Sequence, residues 1–173
     1  MDQMASARRI SHGIGRVMVL HRLHVQRSTA PYHLYGGQLP ILDFIGAHDG
    51  CTQKDVADSM QVSPPSIATS VKRMQKAGLL KKVSNERDLR CNRLSLTEEG
   101  ERAVTACKAG FDAVTQQMLD GFSPEECETL SSYIGRMMRN LSTEEYRRRN
   151  IFSLLEEEKV CHAKQQKEGA GLV

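Results

Sequence analysis

Between Thr52 and Leu96 the sequence writes two helix starts, one helix stop and a change of period, in that order. Thr52 is followed three residues later by Asp55, a variant of the capping box, and Cys51 and Val56 are spaced as its hydrophobic staple. Ser63 stands at an N-cap position, Pro64 suits the first helical position, and Val62 can staple to Ile67. Ala77-Gly78 ends this second helix with glycine where a left-handed cap belongs. The segment therefore predicts a helix of two turns, a short turn through Gln61-Val62, and a helix of about 13 residues. That is the outline of a helix-turn-helix.

After Gly78 the period changes. Leu79 to Val83 and Asn92 to Leu96 are strand-like, and the polar stretch Ser84 to Arg90 between them is turn-prone. A β-hairpin directly behind a helix-turn-helix is a wing. The rest of the chain reads as helices. Ile10, Ile14, Val17, His21 and His24 share one helical face, which predicts a first helix over about 6–27. A second is expected over about 38–47, burying Leu39, Leu42 and Ile45 or their neighbours and stopped by Asp49-Gly50. Thr97 should cap a long helix to about Leu119, and Ser123-x-x-Glu126 starts another over 124–141. Ser142-x-x-Glu145 can start one more, reaching the Glu156-Glu157-Glu158 run, and the end from Lys164 to Val173 has the composition of a frayed tail. The expected class is mainly α with a small β-hairpin wing.

Composition removes several functions. Aromatics are 5% of the 173 residues and tryptophan is absent, so a platform of stacked bases is not expected. No apolar run is long enough to span a bilayer. The start, Met1-Asp2-Gln3-Met4, lacks the features of a secretory signal, which leads us to expect a cytoplasmic protein with reduced thiols. The five cysteines form no C-x-x-C pair, against both a disulfide framework and a zinc ribbon. Gly13-x-Gly15 follows no strand and lacks a third glycine, so it is not a phosphate-binding fingerprint. No nucleophile elbow, P-loop or H-E-x-x-H occurs, and an enzyme is not expected.

Charge is informative through its placement. The formal net charge is +3, but residues 63–93 carry eight Lys/Arg against Glu86 and Asp88. A local basic block in a near-neutral chain is the footprint of a phosphate-backbone contact. On a helical wheel, Ile67, Val71 and Met74 form the buried stripe of the second helix. Pro65, Thr69, Lys72, Arg73 and Lys76 fall opposite, flanked by Ser66 and Ser70, with Ser63 at the start. Small hydroxyls and long cations on one face suit phosphates and base edges. No Asp or Glu occurs from 59 to 85, whereas an ordinary solvated helix mixes both signs.

These residues resemble the MarR family of winged-helix regulators. The likeness runs through Gln38-x-x-Ile41-Leu42-x-x-Ile45, Gly50 to Ala57, Ser63 to Arg73, Ala77-Gly78-Leu79-Leu80, Arg87-Asp88-Leu89-Arg90, and Leu94-Ser95-Leu96-Thr97-Glu98-Glu99-Gly100. It covers about residues 8–141, and 142–173 reads as a helical extension and tail of a single domain. The resemblance implies a winged helix-turn-helix lobe over about 38–100, with dimerisation helices over about 6–30 and 101–141. It implies a homodimer on a pseudo-palindromic double-stranded operator, recognition helices in successive major grooves and wings in minor grooves. Tyr133, Ile134, Met137, Met138 and Leu141 are the candidate interface, because a winged helix alone cannot cover such faces. Arg90 of the wing is expected to reach the minor groove, oriented by Asp88, with Arg87 adding charge. The family also implies repression relieved by a small effector, where the first and second helices meet the lobe. His12, Arg16 and Tyr35 could supply polar groups there.

Other readings stand beside this one. His21 and His24 lie one helical turn apart, and His12, His33, His48, Asp49 and Cys51 could converge with them as a zinc sensor. A true site needs three or four ligands, so no metal or cofactor is expected. Cys91, between Arg90 and Arg93, is the candidate for a redox-responsive thiol. A winged helix can also serve as a protein-interaction module without DNA.

Overall fold

A computed structural model describes residues 3–32, 34, 37–85 and 88–170 of the chain, without the side chains of 84–92 and 162–170. The order is α1 (Gln3–Thr29), a 3-10 turn (Ala30–Tyr32), α2 (Gln38–Ala47), β1 (Cys51–Thr52), α3 (Gln53–Met60), α4 (Pro64–Lys76), β2 (Leu80–Asn85), β3 (Asp88–Leu96), α5 (Glu98–Met118), α6 (Pro124–Leu141), α7 (Glu144–Arg147) and α8 (Ile151–Ala170). No described helix is long and apolar enough to cross a membrane.

The lobe forms because its caps are met and its apolar stripes converge. Thr52 Oγ1 accepts from the Asp55 amide while the Asp55 carboxylate accepts from the Thr52 amide, completing the capping box of α3. The Thr52 amide first, and then the Thr52 hydroxyl, which donates to the same carboxylate oxygen at 2.8 Å, hold the Asp55 carboxyl below its ordinary pKa. Along α2 the buried set is Gln38, Ile41, Leu42 and Ile45, an i, i+3, i+4, i+7 stripe. Leu39 only packs against the edge of this core, and its neighbour Gln38 and Leu42's neighbour Ile41 are buried with Leu42 and Ile45. Val56 of α3, Ile67, Val71 and Met74 of α4, Leu94 of β3 and Cys107 of α5 close the core, each at most 1% exposed. Burying side chains of this size contributes about 1.5–3 kcal/mol apiece. Gly78 ends α4 at φ +75°, in the left-handed region that favours glycine.

β2 and β3 form the antiparallel hairpin, with Leu80 opposite Leu96 and Lys82 opposite Leu94. A third strand was not expected: β1 pairs with β3, Cys51 opposite Leu94 and Thr52 opposite Arg93. Two residues carry no period, so only the pairing itself reveals them. Arg93 fixes this corner by donating from Nη1 to the Gly50 carbonyl at 3.0 Å.

The C-terminal part corrects two expectations. Ser142 does not cap a helix; its hydroxyl donates back to the Met138 carbonyl at 2.7 Å. Thr143 caps a single turn, α7, and the chain breaks at 148–150 before α8 begins. Asn150 causes the restart, because its Oδ1 accepts from the Ser153 amide at 3.0 Å as an N-cap does. The second correction concerns the tail: α8 runs through Lys164 to Ala170 rather than fraying there.

α1 and α6 are largely unpacked. Thr29 is the one buried residue among the 27 of α1, and α6 has none. α1 touches α5 near its own end, where a Cβ on Gly110 would lie 2.7 Å from Ser28 Cβ.

Candidate nucleic-acid interface

α4 is set by its inward stripe. With Ile67, Val71 and Met74 fixed in the core, Pro65, Thr69, Lys72, Arg73 and Lys76 are all exposed on the other side, and Ser66 and Ser70 are half-buried at its edge. Lys72, Arg73 and Lys76 make no ion pair among the described residues. They present three unneutralised charges on one face, the condition for releasing counterions from a phosphate backbone. The Thr69 hydroxyl donates back to the Pro65 carbonyl at 2.9 Å, which leaves its oxygen free to accept.

Ser63 behaves differently from the expectation. It occupies the N-cap position, but its side chain makes no cap hydrogen bond. Pro64 and Pro65 remove the first two amides, and the third, on Ser66, donates to the Ser63 carbonyl at 3.0 Å. No amide is left for the hydroxyl to satisfy. Instead the hydroxyl donates to Ser66 Oγ at 3.0 Å, and Ser66 Oγ donates to Glu156 Oε1 at 2.5 Å. Ser63→Ala should therefore change stability by less than about 0.5 kcal/mol, not the ~1 kcal/mol of a working cap. Urea unfolding checks this, and a loss near 1 kcal/mol would contradict it.

The wing follows α4 directly. The backbone positions of Asp88 and Arg90 are in β3, while their side chains, and all of Arg87, lie outside the described residues. The side chain of Cys91, the candidate redox-responsive thiol, likewise lies outside the described residues. Burial pushes the thiols of Cys51 and Cys107 upward, Asp55 adding to the effect at Cys51.

A cavity of about 630 Å³ opens behind α4. Its apolar walls include Ile41, Met60, Ile67 and Phe152, and its polar groups include Arg22, Ser66, Ser70, Glu158 and Lys159. This is where α1 and α2 meet the lobe, but His12 and Arg16 do not line it. They sit on the exposed part of α1, about 15 and 9 Å up the helix from Arg22 at 1.5 Å per residue. Tyr35 lies outside the described residues. Arg22, which does line the cavity, carries no distinguishing signal in the sequence among the arginines of α1.

The histidines diverge. The ring of His21 packs edge-on against Phe111 at 5.3 Å. His48 stacks on Phe44 at 4.2 Å, with Nδ1 beside the Phe44 carbonyl at 3.0 Å. Among the described residues no three His, Cys, Asp or Glu side chains gather as metal ligands.

Known proteins resemble this arrangement. A family model described as the MarR family matches residues 34–90, the core of the lobe and the first part of the wing. The HTH-type transcriptional regulator YybA of Bacillus subtilis is 27% identical over 105 residues, 61% of this chain and 70% of that protein. The crystal structure of YusO from Bacillus subtilis superposes with a TM-score of 0.67 at 20% identity, over 82% of this chain and all of that one. The S. aureus MepR–DNA complex gives a TM-score of 0.54 at 24% identity, over 82% of this chain and 97% of that one. The segment 34–90 thus matches the MarR family model, and the whole fold is similar to that of YusO and MepR.

Proposed function

We propose that this protein is a sequence-specific, double-stranded DNA-binding transcription regulator that acts as a homodimeric, ligand-relieved repressor. The observation that carries it is the α4 surface, where Lys72, Arg73 and Lys76 stand exposed and unpaired opposite a fully buried stripe. A similar fold is known bound to DNA, in the MepR complex, and the relatives are named as regulators rather than enzymes. α4 enters the major groove with Ser63, Pro65, Ser66, Thr69, Ser70, Lys72, Arg73 and Lys76 towards DNA, and the wing carries Arg87, Asp88 and Arg90 to the minor groove.

The second protomer is argued from apolar surface left uncovered. On α6, Tyr133, Ile134 and Met138 are roughly half-exposed and Leu141 is 80% exposed. On α1, Ile10, Val17, Met18 and Val19 are similarly bare. A twofold dimer buries both helices and matches a palindromic site. The effector's place is the cavity between α1, α2, α4 and α8, with Arg22 and Lys159 as the cations available to an acidic ligand. Such a ligand relieves repression only by binding two lobe spacings unequally.

Fluorescence anisotropy with duplex DNA from upstream of the protein's own gene tests the reading against a scrambled duplex. Equal affinity for the two would sink it. In the same assay Arg90→Ala should weaken operator binding at least tenfold, about 1.4 kcal/mol, and lower the salt slope by about one unit. Asp88→Ala should weaken it as well, although removing a negative charge near DNA ought by itself to strengthen it. Tighter binding by Asp88→Ala would refute the orienting role of that carboxylate.

A further inference from the structure

The chain after Leu141 enters the reading above only as one wall of the cavity. The solved structures align over 82% of this chain, and residues 142–173 are 32 of its 173. This extension folds back onto the lobe instead of trailing from it. At the break before α8, the Asn150 amide donates to Gln61 Oε1 at 2.8 Å and its side chain donates to the Ser59 carbonyl at 3.1 Å. Phe152 packs against the core and Ser153 is buried. One turn on, Glu156 takes the hydroxyl hydrogen of Ser66, which in turn accepts from Ser63.

We propose that α8 is a built-in competitor for DNA. Its Glu156 carboxylate holds the Ser63–Ser66 hydroxyls at the entry end of α4, so docked α8 and bound DNA exclude each other at that edge. The proposal rests on α4 being the DNA-reading helix. A carboxylate and a phosphate compete for the same hydroxyl hydrogen and repel each other where both approach it. Glu156 is only weakly compensated, by Lys159 at 3.7 Å on a mostly exposed side chain, while Glu157 is taken by Arg149. Freeing Ser66 from Glu156 requires α8 to tilt about its anchor at Asn150. This helix also walls the cavity through Leu155, Glu158 and Lys159, so a ligand there bears directly on the position of α8.

Two variants of the full chain decide the matter by anisotropy on the same operator. Glu156→Gln removes the competing charge and should tighten binding about fivefold at low salt, an effect that shrinks as salt rises. Asn150→Ala carries no charge change and loosens the anchor, so it should tighten binding too. Asp120→Asn, in the α5–α6 turn, removes one charge elsewhere and should change affinity little. Were the extension instead an added clamp on DNA, loosening it through Asn150 would weaken binding. Unchanged or weaker binding by either Glu156→Gln or Asn150→Ala overturns the proposal while leaving DNA recognition by α4 intact. If neither the wild type nor any variant distinguishes operator from scrambled DNA, the functional reading itself has failed.

Discussion

Gly100→Ala is expected to destabilise the protein by about 3 kcal/mol or more. A Cβ at this position would lie 1.9 Å from the Leu79 carbonyl oxygen and 3.0 Å from its carbon. Both atoms are backbone and cannot rotate away. The oxygen is also held, since it accepts from the Thr97 amide at 3.2 Å. Moving it disturbs the start of β2, the end of α4 and the cap of α5 together. Alanine would otherwise favour a helix over glycine by about 1 kcal/mol, so the sign of the effect separates the two influences. Gly46→Ala provides the contrast. Its Cβ would meet Leu96 Cδ1 at 2.9 Å, the tip of a side chain that can turn, and its cost should be clearly smaller. Urea unfolding at one fixed protein concentration measures both, so that any self-association weighs equally on the two variants. A Gly100→Ala loss below about 1 kcal/mol would show that α5 can shift to make room.

Arg73→Ala carries the largest expected effect on DNA. Arg73 is exposed on α4 and unpaired among the described residues. If it reads a base in the major groove, its loss should cost about 1–3 kcal/mol on the operator and little on random DNA. If it reaches only phosphate, both should weaken alike, with the salt slope falling by about one unit. No change on either would remove this face of α4 from the interface. Because Arg73 lies opposite Val71 and Met74, the variant should fold as the wild type does, which circular dichroism checks.

The legible parts of this fold are those written locally. Thr52 with Asp55, and Ser123 with Glu126, are complete boxes in both sequence and structure. Gly78 closes α4 where glycine had to. The inward stripe of α4 followed from spacing alone, since a helix fixes which residues share a face. Asn150 is a cap that the stronger-looking Ser142-x-x-Glu145 masks, because that pattern promises one continuous helix over the same stretch. Ser63 failed in the opposite way: the residue type and position were right, but the two prolines after it removed the amides a cap needs.

What the sequence determined by itself is the order of elements and the character of each face. Cap chemistry, period and charge act over three or four residues, and no partner from elsewhere in the chain is required to read them. The tertiary structure decided the relations between distant segments. It paired Cys51-Thr52 with β3 and put Arg22, not Arg16, on the wall of the cavity behind α4. It also set Glu156 against Ser66, ninety residues apart in the chain. A face that holds no carboxylate of its own in the sequence therefore has one at its edge in the fold. No local pattern could announce that contact, because α8 reaches Ser66 only after Phe152 has found the core and Asn150 has found Gln61.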